Sequence, residues 1–234
     1  MPSEIGIWAR GSAPRWEDRE MDATNEYEWL AYVTTAVNQY IDDHVTYVDL
    51  DPLDRQAWLA LSETEKARLR IMQSWCQTTY LTHMTSPSKA MHTPLRTCAY
   101  AVAARYLTWV LGGDCDLMSC KEVEYIATQM QATASGAKKI VPTLLAQRSV
   151  TQVIDRRDSR VRRLALTREA VRRTAVQNIT WNVNLMCAAE QIGAVSYLAL
   201  WEDASEEARE FMHACLARHK QIFDWTGPQL ELNK

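Results

Sequence analysis

Glycine, proline and phenylalanine are scarce in this chain of 234 residues, which has seven glycines, seven prolines and two phenylalanines. A β-sandwich or barrel needs a turn signal every ~8–12 residues, and so few glycines and prolines do not supply one. Long apolar runs are also missing, since none approaches the ~18 residues of a membrane-spanning helix. The charges scattered through the N-terminal segment give no signal-peptide pattern. We therefore expect a cytoplasmic protein with no membrane partner.

No two of the six cysteines have the Cys-x-x-Cys spacing that is typical of zinc or redox sites. Cys115 and Cys120 are five residues apart, with no histidine near them. Most of the six lie inside apolar helical patterns, which is typical of reduced, buried thiols. The sequence predicts neither a disulfide framework nor a zinc centre.

An excess of positive charge is absent, because 26 Lys and Arg stand against 29 Asp and Glu, for a net charge of −3. This balance gives no electrostatic reason to expect a polyanionic partner. One basic stretch runs from Arg156 to Arg173, but Asp155, Asp158 and Glu169 are interleaved with its arginines and no aromatic residue lies among them. We interpret this stretch as a solvated linker and helix face, and expect no nucleic-acid partner.

Apolar residues recur at three- and four-residue spacing through most of the chain, which indicates amphipathic helices. Ser62 and Glu65 are spaced as a capping box that opens a helix, and Ser205 is placed to cap the last one. The pattern predicts long helices near residues 26–43, 62–84, 95–111, 121–139, 167–200 and 205–224. We expect an all-α helical bundle with additional short helices, forming a single domain over residues 25–234.

Residues 1–24 lack this periodicity and are predicted to form an extended N-terminal arm. Trp8 and Trp16 stand out in it, in a chain that has nine tryptophans. Buried tryptophans are common at subunit interfaces, so we predict that the arm contacts a partner chain through these two side chains. The alternative is that the arm wraps back on its own bundle.

Carboxylates and histidines on the last two helices are the residues that could bind a metal. Di-iron bundles use inward-facing Glu and Glu-x-x-His motifs, and Glu210 with His213 has that spacing. Glu190 lies in an apolar stretch of the preceding helix, and a rise of ~1.5 Å per residue from the turn near residue 204 places it level with His219. Leu216 then occupies the position of the second carboxylate. The pair Glu190 and His219 is one carboxylate short of a two-metal site.

The segment from Asp51 to Tyr80 contains the runs Asp-Pro-Leu-Asp and Leu-Ser-Glu-Thr-Glu-Lys, with Trp58 between them. It resembles the start of the ribonucleotide-reductase-small-subunit-like branch of the ferritin-like superfamily. The resemblance implies a ferritin-like bundle, in which an acidic iron ligand is expected at the position of Tyr80.

Residues 125–136 resemble the second helix of that family, where Gln-x-x-Asp-Glu-x-x-His is typical. Gln129 matches, but Thr133 and Gly136 stand where the family has Glu and His. This pattern is similar to the non-catalytic β subunits of bacterial multicomponent di-iron monooxygenases, which share the fold of the catalytic subunit and have lost its ligands. The resemblance implies no cofactor in this chain and a di-iron centre in a homologous partner subunit.

Three hypotheses follow from these observations. In the first, the chain is a catalytically silent subunit that docks on a homologous oxygenase subunit. In the second, it is itself a metal-dependent oxygenase whose ligands come from Glu190, Glu210, His213 and His219. In the third, it is a helical coat or scaffold protein that assembles with itself. The simplest alternative for the four residues is a buried hydrogen-bonded pair, Glu190 with His219, and a surface pair, Glu210 with His213.

Overall fold

The computed structural model describes residues 23–88, 92–155, 157–191 and 205–222, except for the side chains of residues 23–27, 190–191 and 220–222. Helices dominate these ranges, so the predicted helical character is confirmed. The helices are α1 (Ala23–His44), α2 (Arg55–Leu59), α3 (Glu63–Thr85), α4 (Pro94–Val110), α5 (Cys120–Gln129), α6 (Ala134–Ala146), α7 (Arg168–Gln191) and α8 (Glu206–Ile222). A 3₁₀ turn (Thr46–Asp49) precedes α2.

A small sheet lies between α4 and α7 in the chain, which the sequence did not predict. Its strands are β1 (Met118–Ser119), β2 (Val150–Ile154) and β3 (Arg162–Leu166), in the order β1-β3-β2 with both pairings antiparallel. Val150 pairs with Leu166 and Ile154 with Arg162, so β2 and β3 form a hairpin. The interpretation of the start of the basic stretch as a linker was wrong, because residues 157–161 form the tip of this hairpin and Arg162 begins β3.

The prediction of one continuous helix over residues 121–139 was also wrong. The structure has two helices there, α5 and α6, separated by residues 130–133. The predicted capping box at Ser62 is half formed, because the Ser62 hydroxyl accepts the Glu65 N–H but the Glu65 carboxylate turns elsewhere. Its Oε1 accepts hydrogen bonds from the N–H of Thr46 and from Arg68.

The chain divides into two compact units, and the larger one covers residues 34–186. Its central helix is α4, which packs against α3, α5, α6 and β3. Ten of the 17 residues of α4 are buried, as expected for a helix with neighbours on several sides. Tyr106 of α4 meets the buried Trp58 edge to face at 5.9 Å and donates its hydroxyl to the Pro52 carbonyl.

The other unit contains, among its described residues, 23–33, 187–191 and 205–222. Trp29 is buried there, and its ring meets the ring of His219 edge to face at 4.8 Å. Arg218 forms an ion pair with Glu28. Ser205 accepts the Ala208 N–H at 3.3 Å, which confirms the predicted cap of the last helix.

Several properties inferred from the sequence concern the whole chain. All six cysteines are free thiols. No helix within the described ranges combines the length and hydropathy that crossing a bilayer requires. Trp8 and Trp16 lie outside the described residues. The extended arm over residues 1–24 and the single domain over residues 25–234 therefore stay predictions.

Candidate functional site

Helices α5 and α6 form a helix-turn-helix unit on the surface of the larger unit. A capping box opens α5, in which the Ser119 hydroxyl accepts the Glu122 N–H and the Glu122 carboxylate accepts the Ser119 N–H at 2.7 Å. The two helices pack against each other and against α4. They bury an apolar set on their inner faces, Val123, Ile126, Ala127, Ala137, Ile140, Val141 and Leu144. Residues 130–133 join the two helices, and a turn of this length is typical of helix-turn-helix motifs.

The turn between α5 and α6 is fixed by backbone hydrogen bonds. Gln131 has a φ of +63°, in the left-handed region. This conformation lets the N–H of Ala132 bond to the carbonyl of Ala127 at 3.1 Å, which is the six-residue closure of a Schellman motif. Thr133 then caps α6 by accepting the Gly136 N–H at 3.1 Å. The chain changes direction within four residues, and α6 packs against α5 and α4 with its outer face exposed.

The outer face of α6 carries positive and small polar side chains and no acidic ones. Ser135, Lys138, Lys139 and Pro142 are exposed. Thr143 is partly exposed, and its hydroxyl donates to the Lys139 carbonyl at 2.7 Å. No carboxylate occurs between Glu124 and Asp155 in the sequence. The two lysines are therefore not neutralised by an acidic neighbour on their own helix.

The tip of the β2–β3 hairpin is built from Asp and Arg side chains. Asp158 accepts from the N–H of Arg160 and from its guanidinium at 3.0 and 3.1 Å. Asp155 accepts the Arg157 N–H at 2.8 Å. Arg157 and Arg160 nevertheless keep exposed fractions of 71% and 89%. The aspartates hold the shape of the turn. The Arg157 guanidinium pairs with the Asp116 carboxylate and the Arg160 guanidinium with that of Asp158, yet both arginine side chains remain largely exposed.

Arg163, on β3 next to the tip, holds the hairpin against the residues before β1. Its guanidinium donates to the Asp155 carboxylate at 2.6 Å and to the Leu117 carbonyl, before β1, at 2.7 Å. It also lies 3.4 Å from the Asp116 carboxylate. The Arg157 N–H and the Arg163 guanidinium lower the pKa of Asp155 below its usual range. This network ties the hairpin to the rest of the sheet through buried and half-buried groups.

Positive charge is concentrated in the segment that contains these elements. Residues 125–168 include nine Lys and Arg but two Asp and no Glu, a net charge of +7 in a chain whose total is −3. The rest of the chain is correspondingly acidic. We refer below to Lys138, Lys139, Arg157 and Arg160 as the basic set, because all four are exposed on α6 or on the hairpin tip.

Tyr80, Thr133 and Gly136 occupy positions at which the family that the chain resembles has iron ligands, and all three lie in the larger unit. Thr133 and Gly136 form the cap of α6. Tyr80 lies on α3 and lines a groove of about 330 Å³ with Gln77, Arg105, Glu122 and other residues. Burial raises the pKa of Tyr80 above its usual value. These three residues thus belong to two different local structures.

The residues predicted on the last two helices fall in the smaller unit. Glu210 and His213 are exposed on α8, and Leu216 is buried. His219 packs against Trp29, and burial lowers its pKa. The side chain of Glu190 is not described, so the predicted contact between Glu190 and His219 stays a prediction.

Within the described ranges, no group of three or more His, Cys, Asp or Glu side chains is arranged to hold a metal ion. Comparisons with protein-family models, curated proteins and solved structures give no match to this chain. The chemical character of the site therefore has to be argued from its own residues.

The basic set was missed as a site because its two parts were assigned to a helix end and a linker. Two local signals could have found it. Ser119 and Glu122 have the spacing of a capping box, which places a helix start there. Residues 150–154 and 162–166 contain strand-forming side chains or alternate apolar with polar ones, and a polar turn lies between the two segments. This is the pattern of a hairpin.

Proposed function

We propose that this chain binds double-stranded DNA through its helix-turn-helix unit, with α6 in the major groove and the β2–β3 hairpin against the adjacent backbone or minor groove. The observation that carries the proposal is the continuous unit α5–turn–α6–β2–β3, whose outer helix has no acidic residue and whose hairpin tip presents exposed arginines. In helix-turn-helix proteins the second helix lies in the major groove. A hairpin that follows this helix makes the arrangement a winged helix-turn-helix.

The dimensions and side chains of α6 suit that role. Its 13 residues give a rod of ~20 Å, and the major groove, ~12 Å wide, admits one helix. Its first turn carries Ala134, Ser135 and Gly136, whose small side chains let the helix backbone approach the base edges. Lys138 and Lys139 follow one turn later and are able to reach phosphates or the acceptor atoms of guanine.

The hairpin supplies contacts of a different kind. Arg157 and Arg160 project from a turn whose conformation is fixed by Asp155 and Asp158. Arginines on such a projection bind phosphates, and they also enter a narrow minor groove because of its negative potential. We assign these two side chains to positioning on the duplex and α6 to reading the sequence.

This proposal departs from our expectation that the chain has no nucleic-acid partner. That expectation used the net charge of the whole chain, −3, which does not show how the charges are distributed along it. The segment 125–168 alone has a net charge of +7. Asp158 bonds within the turn and Asp155 bonds to the turn and to Arg163 of β3, so these two carboxylates oppose a bound polyanion less than their number suggests.

The test is a selection of duplexes from a random DNA pool, followed by affinity measurements over a range of salt concentrations. We expect an enriched sequence, and an affinity that falls steeply as salt rises. Each lost phosphate contact lowers the log–log salt slope by ~0.9, so Lys138→Gln with Lys139→Gln, or Arg157→Gln with Arg160→Gln, lowers it by up to about 2. Circular dichroism confirms that each variant is folded.

The matched control is Lys66→Gln with Arg70→Gln. These residues lie on α3, where both pair with Glu63. The double change also removes two positive charges, but outside the helix-turn-helix unit. We expect it to leave the salt slope unchanged. The proposal is refuted when no sequence is enriched, or when the control lowers DNA affinity as much as the two double variants in the basic set.

The hypothesis of a silent subunit in a di-iron monooxygenase complex, with a ferritin-like bundle, stays a prediction from the resemblance. So do its alternatives, a metal-dependent oxygenase and a self-assembling scaffold. No contact among the described residues favours one of them over DNA binding. Elemental analysis tests the oxygenase, and mass measurement under native conditions tests both the partner subunit and the self-assembly.

A further inference from the structure

A cavity of about 400 Å³ lies behind the helix-turn-helix unit, within the larger unit of the chain. Its walls come from α4, from the end of α6, from the base of the β2–β3 hairpin and from α7. This volume falls in the range of small-molecule sites, ~300–1,000 Å³. No residue of the basic set lines it.

Two arginines on different helices face this cavity. Arg96 on α4 has no carboxylate within ion-pair distance among the described residues, and its nearest polar contact is the Tyr100 hydroxyl at 3.5 Å. Arg173 on α7 donates to the Ser149 hydroxyl at 3.0 Å and lies 3.7 Å from the Glu169 carboxylate. The cavity is therefore lined by two cationic side chains, Arg96 without an acidic partner among the described residues and Arg173 with one at 3.7 Å.

The buried part of the remaining wall is apolar, and its less buried part adds the polar side chains of Gln147, Ser149, Thr174 and Gln177. Leu144, Val150, Leu166 and Ala170 are buried side chains that contribute to it. A cavity with an apolar wall and a cationic rim is complementary to a small molecule with an anionic head and an apolar body. A carboxylate suits the rim because a guanidinium binds both carboxylate oxygens at once.

We propose that this cavity binds a small organic monocarboxylate, with its carboxylate between Arg96 and Arg173 and its apolar body against Leu144, Val150 and Leu166. Because Leu144 belongs to α6 and the other two residues to the hairpin base, a bound ligand contacts both elements of the proposed DNA interface. Binding of the acid therefore changes the affinity for DNA. This regulatory part rests on the proposed function, whereas the binding site does not.

The binding site is tested without DNA, by thermal unfolding of the full chain with three acids, benzoate, phenylacetate and hexanoate. Each is compared with its neutral amide, which has nearly the same shape. A ligand that binds the folded state alone, at about ten times its Kd, favours folding about 11-fold and raises Tm. We expect at least one acid to raise Tm more than its amide does.

Arg96→Gln and Arg173→Gln, singly and together, are expected to abolish this acid-specific rise, whereas Arg70→Gln on α3 retains it. Tm values without ligand show that each variant is folded. The site is refuted when no acid exceeds its amide, or when the double variant keeps the difference.

DNA affinity with and without the active acid tests the regulatory part separately. We expect a change of about fivefold or more, the lower end of ordinary allosteric coupling. An unchanged affinity refutes the regulation and leaves the site. Absence of any sequence-specific DNA binding contradicts the proposed function, while the Tm comparison still decides the site.

Discussion

Glycine substitutions at the ends of α5 and α6 should stabilise the protein. Three helices of the larger unit end in the same Schellman motif, closed by bonds from Gly113, Ala132 and Ser149 to carbonyls five residues earlier, at 2.9, 3.1 and 2.9 Å. The left-handed residue of the motif is Gly112 after α4, with a φ of +90°. After α5 and α6 it is Gln131 and Arg148, with φ values of +63° and +51°.

The size of the effect follows from two opposing terms. A residue with a Cβ in the left-handed region costs roughly 1–2 kcal/mol. Glycine avoids that strain but loses more backbone entropy on folding, by roughly 0.5–1 kcal/mol. The Gln131 side chain is exposed and makes no hydrogen bond to the described residues. We therefore expect Gln131→Gly to increase the free energy of unfolding by about 0.5–1 kcal/mol, which raises Tm by about 2 °C in a chain of this size.

Urea unfolding followed by circular dichroism measures this change. Arg148→Gly should give a similar gain, because the backbone geometry is the same although the side chain is different. Gln131→Val should destabilise the protein, since a β-branched side chain is least tolerated at positive φ. Ser74→Gly, at an exposed position in the middle of α3, is the control and should lower stability by about 0.5 kcal/mol.

The expected gain is contradicted if Gln131→Gly is as destabilising as Ser74→Gly. That result would mean that residue 131 does not occupy the left-handed region, and that the turn between α5 and α6 has a different form. The same measurement therefore checks the turn on which the helix-turn-helix assignment depends.

Three further predictions concern buried polar groups and thiols. Arg68→Met should lower the free energy of unfolding by about 3–5 kcal/mol, because it leaves the buried carboxylate of Glu65 without its cation. Urea titrations measure this loss, and the double variant that also carries Glu65→Gln should recover part of it. Burial lowers the pKa of His83 below 6.5, so its neutral form contributes stability that is lost as pH falls below that value. His83→Gln should flatten the fall in stability between about pH 6.5 and 5, and an unchanged profile would contradict this assignment. Native thiol labelling should modify the partly exposed Cys115 and Cys120 before the buried cysteines. Burial raises the pKa of those buried thiols to about 12; they are Cys76, Cys98, Cys187 and Cys215.

The helices that the sequence predicted well have both a long apolar period and a recognisable end. Helix α4 is an example, since Gly112 and Gly113 mark its end and Thr93 with Pro94 marks its start. The break between α5 and α6 has no such mark. Gln131 occupies the left-handed position there without being a glycine, and apolar residues continue at helical spacing on both sides. A continuous helix was the natural prediction from that pattern.

The candidate site was harder to predict because its charges depend on tertiary contacts. In the sequence, Asp155 and Asp158 seem to neutralise the arginines around them. In the structure, Asp155 is bound by Arg163 and by the Arg157 N–H, whereas Asp158 bonds within the turn. Arg163 is likewise occupied by a carbonyl before β1. Which arginines remain exposed is decided by the hairpin register, and no spacing rule reports that register.

The uneven distribution of charge also bears on how fast, and in which orientation, the protein meets a polyanion. On the proposed function, residues 125–168, with a net charge of +7, attract a duplex, whereas the excess of acidic residues elsewhere in the chain repels it. Such asymmetry raises the association rate at low ionic strength and leaves the dissociation rate to short-range contacts. It also limits accumulation on arbitrary DNA, because a chain with net negative charge has a weak long-range attraction to it. The proposed complex would therefore select its orientation before any base is contacted.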